Sequence, residues 1–333
     1  MANFSGNTSK FQIGLEGTYG ISNVPDVQLE FLSESLHQTN TNVESDALVG
    51  AVTTPFFNII GSKVEGDVSL EVHPDKLGEI LVAALGTESD ATLTSGASSS
   101  YDHKFTAVRG NGSLPSLSAT VDKKADVFTY TGLKIDSMSL ETDPGSLLTS
   151  SVTLVGQQEK TNDQDVQDLT VSALNPFDFN DMRIYFGAAG GQATVLIDEA
   201  TSMSFNYANN LENDLYVADG NQYMAEIDYQ KRDITFDIEA LYNDASNTYR
   251  ENNYKTGDKL AVRIEFTHPK EIEAGYNYKL TIDMPNTVIT EAPNDISGAE
   301  RLRIPLSFRA LEANGDEPIT ITLVDDLDAK YSL

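Results

Sequence analysis

Apolar and polar residues alternate with a period of two along most of this chain, the pattern of half-buried antiparallel strands. Lys63 to Val72 is the clearest instance. Val64, Gly66, Val68, Leu70 and Val72 share one face, while Lys63, Glu65, Asp67, Ser69 and Glu71 share the other. The first face suits a core and the second is acidic. From Pro74 to Gly86 the alternation stops: proline sits in the first turn, apolar residues take helical spacing, and Gly86 supplies a stop, which predicts a helix. Phe128 to Leu140 and Leu147 to Gly156 read as strands joined at Asp143-Pro144-Gly145, a turn sequence, and so as a hairpin.

The second half repeats this order with little literal identity. Ile234, Phe236, Ile238 and Ala240 alternate with Asp233, Thr235, Asp237 and Glu239, so an acidic strand face recurs. A helix is expected around Ala245 to Tyr254, ending at Gly257. Strands follow at Lys259 to Phe266, Tyr278 to Met284 and Arg301 to Leu311, the last two linked around Pro293-Asn294-Asp295. Strand, helix, strands and hairpin in the same order twice predict a duplicated, mainly β architecture of two tandem antiparallel domains, each with a flanking helix. Gln157 to Asp168 is polar, acidic and nearly free of apolar residues, so it reads as a linker or exposed loop. The boundary falls at Asp168, giving a first domain 1–168 with an N-terminal arm and this linker, and a second domain 169–333. Two long loops stand out: Gln38 to Pro55, of a length that usually has a job, and Thr87 to Ser100, a Ser/Thr/Gly/Ala run read as a flexible surface segment.

Composition adds charge to this picture. The 333 residues include 22 Lys plus Arg against 51 Asp plus Glu, a formal charge of −29. Such a surface repels nucleic acid and anionic membranes, so any relation to DNA must be non-adhesive. Without cysteine there is no disulfide framework and no Cys-based zinc or iron–sulfur site. The opening Met1 to Lys10 has neither a basic start nor an apolar run, which predicts residence in a cytoplasm. The longest apolar run lies within Ile80 to Leu85, far short of the roughly 20 residues of a membrane helix.

Catalytic patterns are weak throughout. There is no G-x-S-x-G turn for a serine nucleophile and no G-x-x-x-x-G-K-[ST] phosphate loop; Arg109-Gly110-Asn111-Gly112 reads as a turn, at a hairpin tip. His37, His73, His103 and His268 are scattered singly, without the spacing that holds zinc on a helix face. Asp163, Asp165 and Asp168 cluster, as do Asp325, Asp326 and Asp328, but neither group has the glycine and distal glutamate of a calcium loop, so both read as solvated charge. Glu65, Asp67 and Glu71 fit a glycosidase only if one is buried, against which the open alternation argues. No tryptophan offers a sugar-stacking platform. One strand reverses the charge trend: Arg301, Arg303 and Arg309 share a face with Pro305 and Ser307, opposite Leu302, Ile304, Leu306 and Phe308. Two readings of these arginines stand side by side, pairing with acidic neighbours inside the chain or meeting an acidic strand of another copy.

Six segments carry a resemblance together: Glu16-Gly17-Thr18-Tyr19-Gly20; Gly61 to Gly86, reading GSKVEGDVSLEVHPDKLGEILVAALG; Tyr130-Thr131-Gly132-Leu133-Lys134 with the hairpin ending Leu154-Val155-Gly156; Phe205-Asn206-Tyr207-Ala208-Asn209-Asn210; Leu280 to Pro285; and Ile319-Thr320-Ile321-Thr322-Leu323. None is diagnostic alone, but in order and spacing they resemble the phage tail tube proteins, in particular the two-domain kind of long-tailed bacteriophages. The likeness spans nearly the whole chain.

That resemblance implies tail-tube-type β-sandwich or half-barrel domains whose strands join those of neighbours into a continuous barrel around a channel, removing strand edges. Single-domain relatives form six-subunit rings, so a two-domain chain implies a trimeric ring with pseudo-six-fold symmetry. Rings stack into a tube, and the long early loop reaches the next ring. This places Gln38, Thr39, Asn40, Thr53 and Thr54, with Arg301, Arg303 and Arg309, at contacts between subunits or rings. The channel lining expected from alternation and duplication is Glu65, Asp67 and Glu71 with Asp233, Asp237 and Glu239, whose charge lets DNA slide. The partners implied are the chain itself, a tape-measure protein, other tail proteins and passing genome DNA. No cofactor, metal, membrane or catalytic role is implied, and the location is the virion tail, assembled in the host cytoplasm. The competing readings are an acidic binding module, either an adhesin-like β-sandwich pair or a DNA mimic, and a carboxylate-dependent hydrolase.

Overall fold

The computed structural model describes residues 5–50, 52–218, 220–296, 301–313 and 315–332; residues 1–4 of the expected N-terminal arm lie outside the described residues. The first half contains β1 (Lys10–Leu15), β2 (Val27–Leu29), β3 (Phe31–Glu34), β4 (His37–Glu44), β5 (Phe57–Glu71) and α1 (Gly78–Leu85). It continues with β6 (Gly86–Glu88), β7 (Thr92–Leu93), β8 (Tyr101–Ala107), β9 (Leu117–Asp122), β10 (Val127–Thr142), β11 (Thr149–Gly156) and β12 (Gln158–Thr161). The second half contains β13 (Met182–Ala188), β14 (Val195–Leu196), β15 (Ala200–Ala208), β16 (Leu211–Glu212), β17 (Asp228–Tyr229) and β18 (Asp233–Leu241). After it come α2 (Asp244–Tyr249), β19 (Leu260–Glu273), β20 (Tyr276–Glu291), β21 (Arg303–Ala310) and β22 (Thr320–Asp325). The protein is mainly β, with antiparallel ladders between these strands.

The two halves have the same pairing plan. In the first, β2, β1, β9, β10 and β12 pair in that order, and the far end of β10 pairs with β11, then β5, then β3. In the second, β14, β13, β19, β20 and β22 repeat the first series, and β20, β21, β18 and β15 repeat the second. Each series is bent around one long strand, β10 or β20. In β10 the bend falls at Gly132, whose φ of +66° is open to glycine and strained for other residues. Two ladders tie the halves together, β10 to β15 and β22 to β8, and one apolar cluster runs through both. Traced from strand to strand, these ladders branch but never return on themselves, so the described strands form no closed barrel.

Several expectations need correction. The helix begins at Gly78 rather than Pro74, since Pro74 to Lys76 form a turn; Gly86 ends it at φ +89° as expected. Gln158–Thr161 in the supposed linker is a strand on β10, because the backbone beside Phe128–Thr131 offers it a ladder that its polar side chains do not advertise. Gln38 to Pro55 is no plain loop: β4 pairs with the outer half of β5 and forms a hairpin arm. Part of Thr87 to Ser100 is pinned, with β6 and β7 on β8 and Glu273 accepting from the backbone N–H groups of Ser98 and Ser99. Arg109 to Gly112 is a turn with Gly110 at φ +64°, but the flanking β8 and β9 do not pair, so it is not a hairpin tip. Asp325 is buried rather than solvated.

Candidate assembly surfaces

Two resembling segments turn out to be structural clasps. Glu16 is buried, and its carboxylate accepts four hydrogen bonds: Oε1 from Gly132 N and Ser118 Oγ, both 2.8 Å, and Oε2 from Gly20 N at 2.8 Å and Ser116 Oγ at 2.7 Å. This carboxylate fixes the turn through Gly20 against the bend of β10. Asn209 is fully buried and donates through Nδ2 to Ala84 O at 2.8 Å, satisfying the end of α1, and to Ile135 O at 2.9 Å. It thereby fastens the second half to the helix of the first.

A third clasp was missed because its members are far apart in sequence. His103 is fully buried, with Nδ1 at 3.1 Å from Glu88 Oε1 and Nε2 at 3.2 Å from Asp325 Oδ1. Burial pushes its pKa down, but the hydrogen bonds to Asp325 and Glu88 win and raise it to about 10, so the ring is an imidazolium. Glu88 also accepts from the backbone of Tyr331 and Ser332, and Tyr331 donates to Asp325, which seats the end of the described chain. Among the described residues no group of three or more His, Asp or Glu side chains is placed to hold a metal ion. Nor is any described helix long and apolar enough to cross a membrane.

The predicted acidic strands share one surface. From β5 the ladder runs β11, β10, β15, β18, β21, crossing from one half to the other at β10–β15. The face behind it is core: Leu70, Val152, Leu140, Phe205, Phe236 and Phe308 are all buried. The front face is polar and dominated by Ser, Thr, Asp and Glu. One cross-strand row follows directly from the registers: Glu71, Thr149, Glu141, Ser204, Asp237 and Ser307. Carboxylate and hydroxyl alternate, so an acid recurs every second strand, about 9–10 Å apart at normal strand spacing. Glu141 belongs to this row although the sequence pattern did not single it out. Its strand is long and carries Ser137 and Ser139 on the same face, so it shows no run of acids.

Arg303 and Arg309 fall on this face too and pair within the chain. Arg309 binds Asp233 through two hydrogen bonds of 2.8 and 2.6 Å, and Arg303 pairs with Glu239. The Arg309 guanidinium holds the Asp233 carboxyl below its ordinary pKa. Arg301 lies just before β21, exposed. Lys63 sits 2.9 Å from Glu65 and lowers its pKa. Asp67, Glu141 and Asp237 make no ion pair among the described residues, while Asp67 accepts from Thr153 Oγ1 at 2.7 Å.

The β4–β5 arm is the second surface. Gln38, Thr39 and Asn40 lie at its root and bond within the chain: Gln38 N donates to Glu159 at 3.2 Å and Ser62 Oγ to Asn40 Oδ1 at 2.6 Å. Thr53 and Thr54 lie near the tip, exposed, with Thr54 Oγ1 donating to Glu44 at 3.1 Å. Apolar side chains the sequence reading did not pick surround them. Leu48 and Val52 are wholly exposed at 103% and 102%, and Val43, Val49, Phe56, Phe57, Ile59 and Ile60 are all exposed. An exposed apolar stretch of this kind is a candidate contact surface. An exposed arm and a buried strand can have the same composition, so hydrophobicity alone does not tell Phe56 to Ile60 from core.

A comparison with curated proteins found no match. A family model described as phage tail tube protein matches residues 6–310, most of the length over which the repeated ladders, the acidic row and the arm are built. The chain therefore belongs to the phage tail tube protein family, a structural component of the virion tail.

Proposed function

We propose that this chain is the major tail tube subunit: three copies close a ring, each supplying two tube repeats as domains 1–168 and 169–333, and rings stack around a negatively charged channel for phage DNA. The observation that carries this reading is the acid–hydroxyl row, which continues across the junction between the repeats without a break in register. At that junction the inner edge of β10 pairs with β15, the second repeat's counterpart of β3. The equivalent edge of β20, over Val288–Glu291, has no partner among the described strands, and neither does the outer edge of β3. Repeating the internal junction between chains joins β20 of one copy to β3 of the next and satisfies both edges. A heterologous joint of this kind makes a ring when its rotation closes, here after three copies.

In such a ring the carboxylates of Glu71, Glu141 and Asp237 face the channel with Glu65, Asp67, Asp233 and Glu239. Lys63, Arg303 and Arg309 pair with Glu65, Glu239 and Asp233, three of the six positions first expected, so net repulsion comes chiefly from Asp67, Glu71, Glu141 and Asp237. Among the described residues, Lys63, Arg303 and Arg309 on this face are already paired with acids, so phosphates passing it meet mainly carboxylates and the duplex slides. The exposed arm reaches the adjacent ring, and the role is structural, without catalysis. Tape-measure and other tail proteins join this tube in the virion, after assembly in the host cytoplasm. Because the chain has no cysteine, the ring joint is testable by paired cysteines scanned along Phe31–Glu34 and Val288–Glu291. Mild oxidation should give disulfide-linked species up to trimers; exclusively monomeric products across the scan, with an internal Ser139→Cys/Asn206→Cys pair closing normally, would refute the joint.

A further inference from the structure

Both repeats carry an excursion at the same point of the chain order, just before β5 and just before β18, but the two are used differently. The first leaves the body as the β4–β5 arm. The second, from Leu211 to Gln230, has among its described residues the two-residue ladder β16–β17 and turns back onto the first repeat. Gln222 O accepts from Ser62 N at 2.7 Å, and Tyr223 forms a parallel bridge with Ser62. The Tyr223 hydroxyl accepts from Gln158 Nε2 at 2.8 Å, Met224 O from Gln157 Nε2 at 2.9 Å, and Ile227 O from the buried Lys134 amine at 2.7 Å. Met224 and Ile227 are fully buried beside Leu114, Val155 and Leu211. The Tyr216 ring lies over Gly61, where a Cβ would stand 3.0 Å from a ring carbon, so glycine there makes room for the ring.

These contacts converge on the root of the first arm, at Gly61 and Ser62, and on the adjoining strand at Gln157 and Gln158. A two-stranded ribbon is marginal by itself and bends easily. We infer that the Leu211–Gln230 segment is a brace that sets the direction in which the β4–β5 arm leaves the body, so that each chain offers one reaching arm and not two. This rests on the ring assembly proposed above: in a ring of three chains the arms then meet the neighbouring ring with three-fold symmetry, although the tube wall is pseudo-six-fold. The arm's partner is a second copy of this chain. In the second excursion Met224 and Ile227 are enclosed within the chain, while Leu215, Tyr216 and Val217 stay partly exposed beside the root of the first arm.

Amide hydrogen exchange on the full chain tests the brace. Tyr216→Ala should speed exchange at residues 57–62 about tenfold while β10 and β11 keep their protection, and Tyr216→Phe should restore the wild-type rate. Should Tyr216→Ala also loosen β10–β11, Gln158→Ala, which removes only the bond to Tyr223, gives the same readout at the arm root. Electron cryomicroscopy of wild-type tubes should show three arm bridges at each ring interface. Unchanged exchange at 57–62 in both variants, or six equivalent bridges, would overturn the inference. If the wild-type protein forms no rings under any condition, the assembly reading fails, and the exchange result still decides whether the segment braces the arm.

Discussion

Replacing Glu16 by Gln removes one charge and changes almost nothing in shape, yet the geometry makes it costly. Each carboxylate oxygen accepts one backbone N–H and one serine hydroxyl: Gly132 and Ser118 on Oε1, Gly20 and Ser116 on Oε2. Whichever oxygen becomes an amide NH2, its serine can rotate to accept, but its glycine N–H cannot and is left facing another donor. A hydrogen bond to a charged acceptor contributes about 1.5–3 kcal/mol and a buried unsatisfied donor costs about 1–3 kcal/mol. Some of that returns through the rotated serine, so Glu16→Gln should cost about 3 kcal/mol and Glu16→Ala, which strands all four donors, about 5 kcal/mol. With no tryptophan and 14 tyrosines in the chain, the assay is urea unfolding followed by tyrosine fluorescence and far-ultraviolet circular dichroism. An equal m-value with a lowered midpoint reports native stability. A Gln variant within about 0.5 kcal/mol of wild type, the range of ordinary surface substitutions, would refute this account of the turn.

The remaining predictions concern charge. His103→Ala should cost about 3–5 kcal/mol by leaving Glu88 and Asp325 buried without their cation. Because the folded pKa is raised from 6.5 to about 10, the histidine's contribution is complete below pH 6.5 and disappears as pH rises through 10; the wild-type urea midpoint should fall over that window more steeply than the variant's. Glu79 is the opposite case, a carboxyl raised to about 7 mainly by burial, so folding favours its protonated form and loses stability as pH rises from 4.5 to 7. Glu79→Gln should therefore raise stability by about 2 kcal/mol at pH 8 and change little at pH 4, read from thermal midpoints at the two pH values. The exposed Arg309–Asp233 pair should show a double-mutant coupling below about 1 kcal/mol that shrinks in high salt. A triple Glu71→Lys, Glu141→Lys, Asp237→Lys protein should bind duplex DNA with steep salt dependence in fluorescence anisotropy, where the wild type shows none.

The architecture was legible where one face of a strand is wet. Lys63 to Glu71 and Asp233 to Ala240 alternate cleanly because core lies on one side and polar surface on the other, and Gly86 and Gly145 mark their turns through positive φ. The equivalence of the halves was visible in the order of these signals, whereas the ladders that join them, β10–β15 and β8–β22, pair residues more than 60 positions apart and leave no local trace. Strand pairing also overrode composition at Gln158–Thr161, whose side chains read as linker. At the surfaces, the acids of β5 and β18 were found by their alternation, but Glu141 joins their row only through register. The arm's exposed Phe56, Phe57, Ile59 and Ile60 could not be told from core by hydrophobicity alone. The arginines of β21, for which two partners were open, pair with the acids of their own chain at Asp233 and Glu239.

In the proposed ring of three, one face, β5 through β21 of every chain, turns toward the channel. Electron cryomicroscopy of tubes assembled from the purified protein measures this directly. The account predicts three chains per ring, β20 of one copy laddered to β3 of the next, and Glu71, Glu141 and Asp237 repeating around the inner wall. Tubes with those three carboxylates on the outer wall would contradict it.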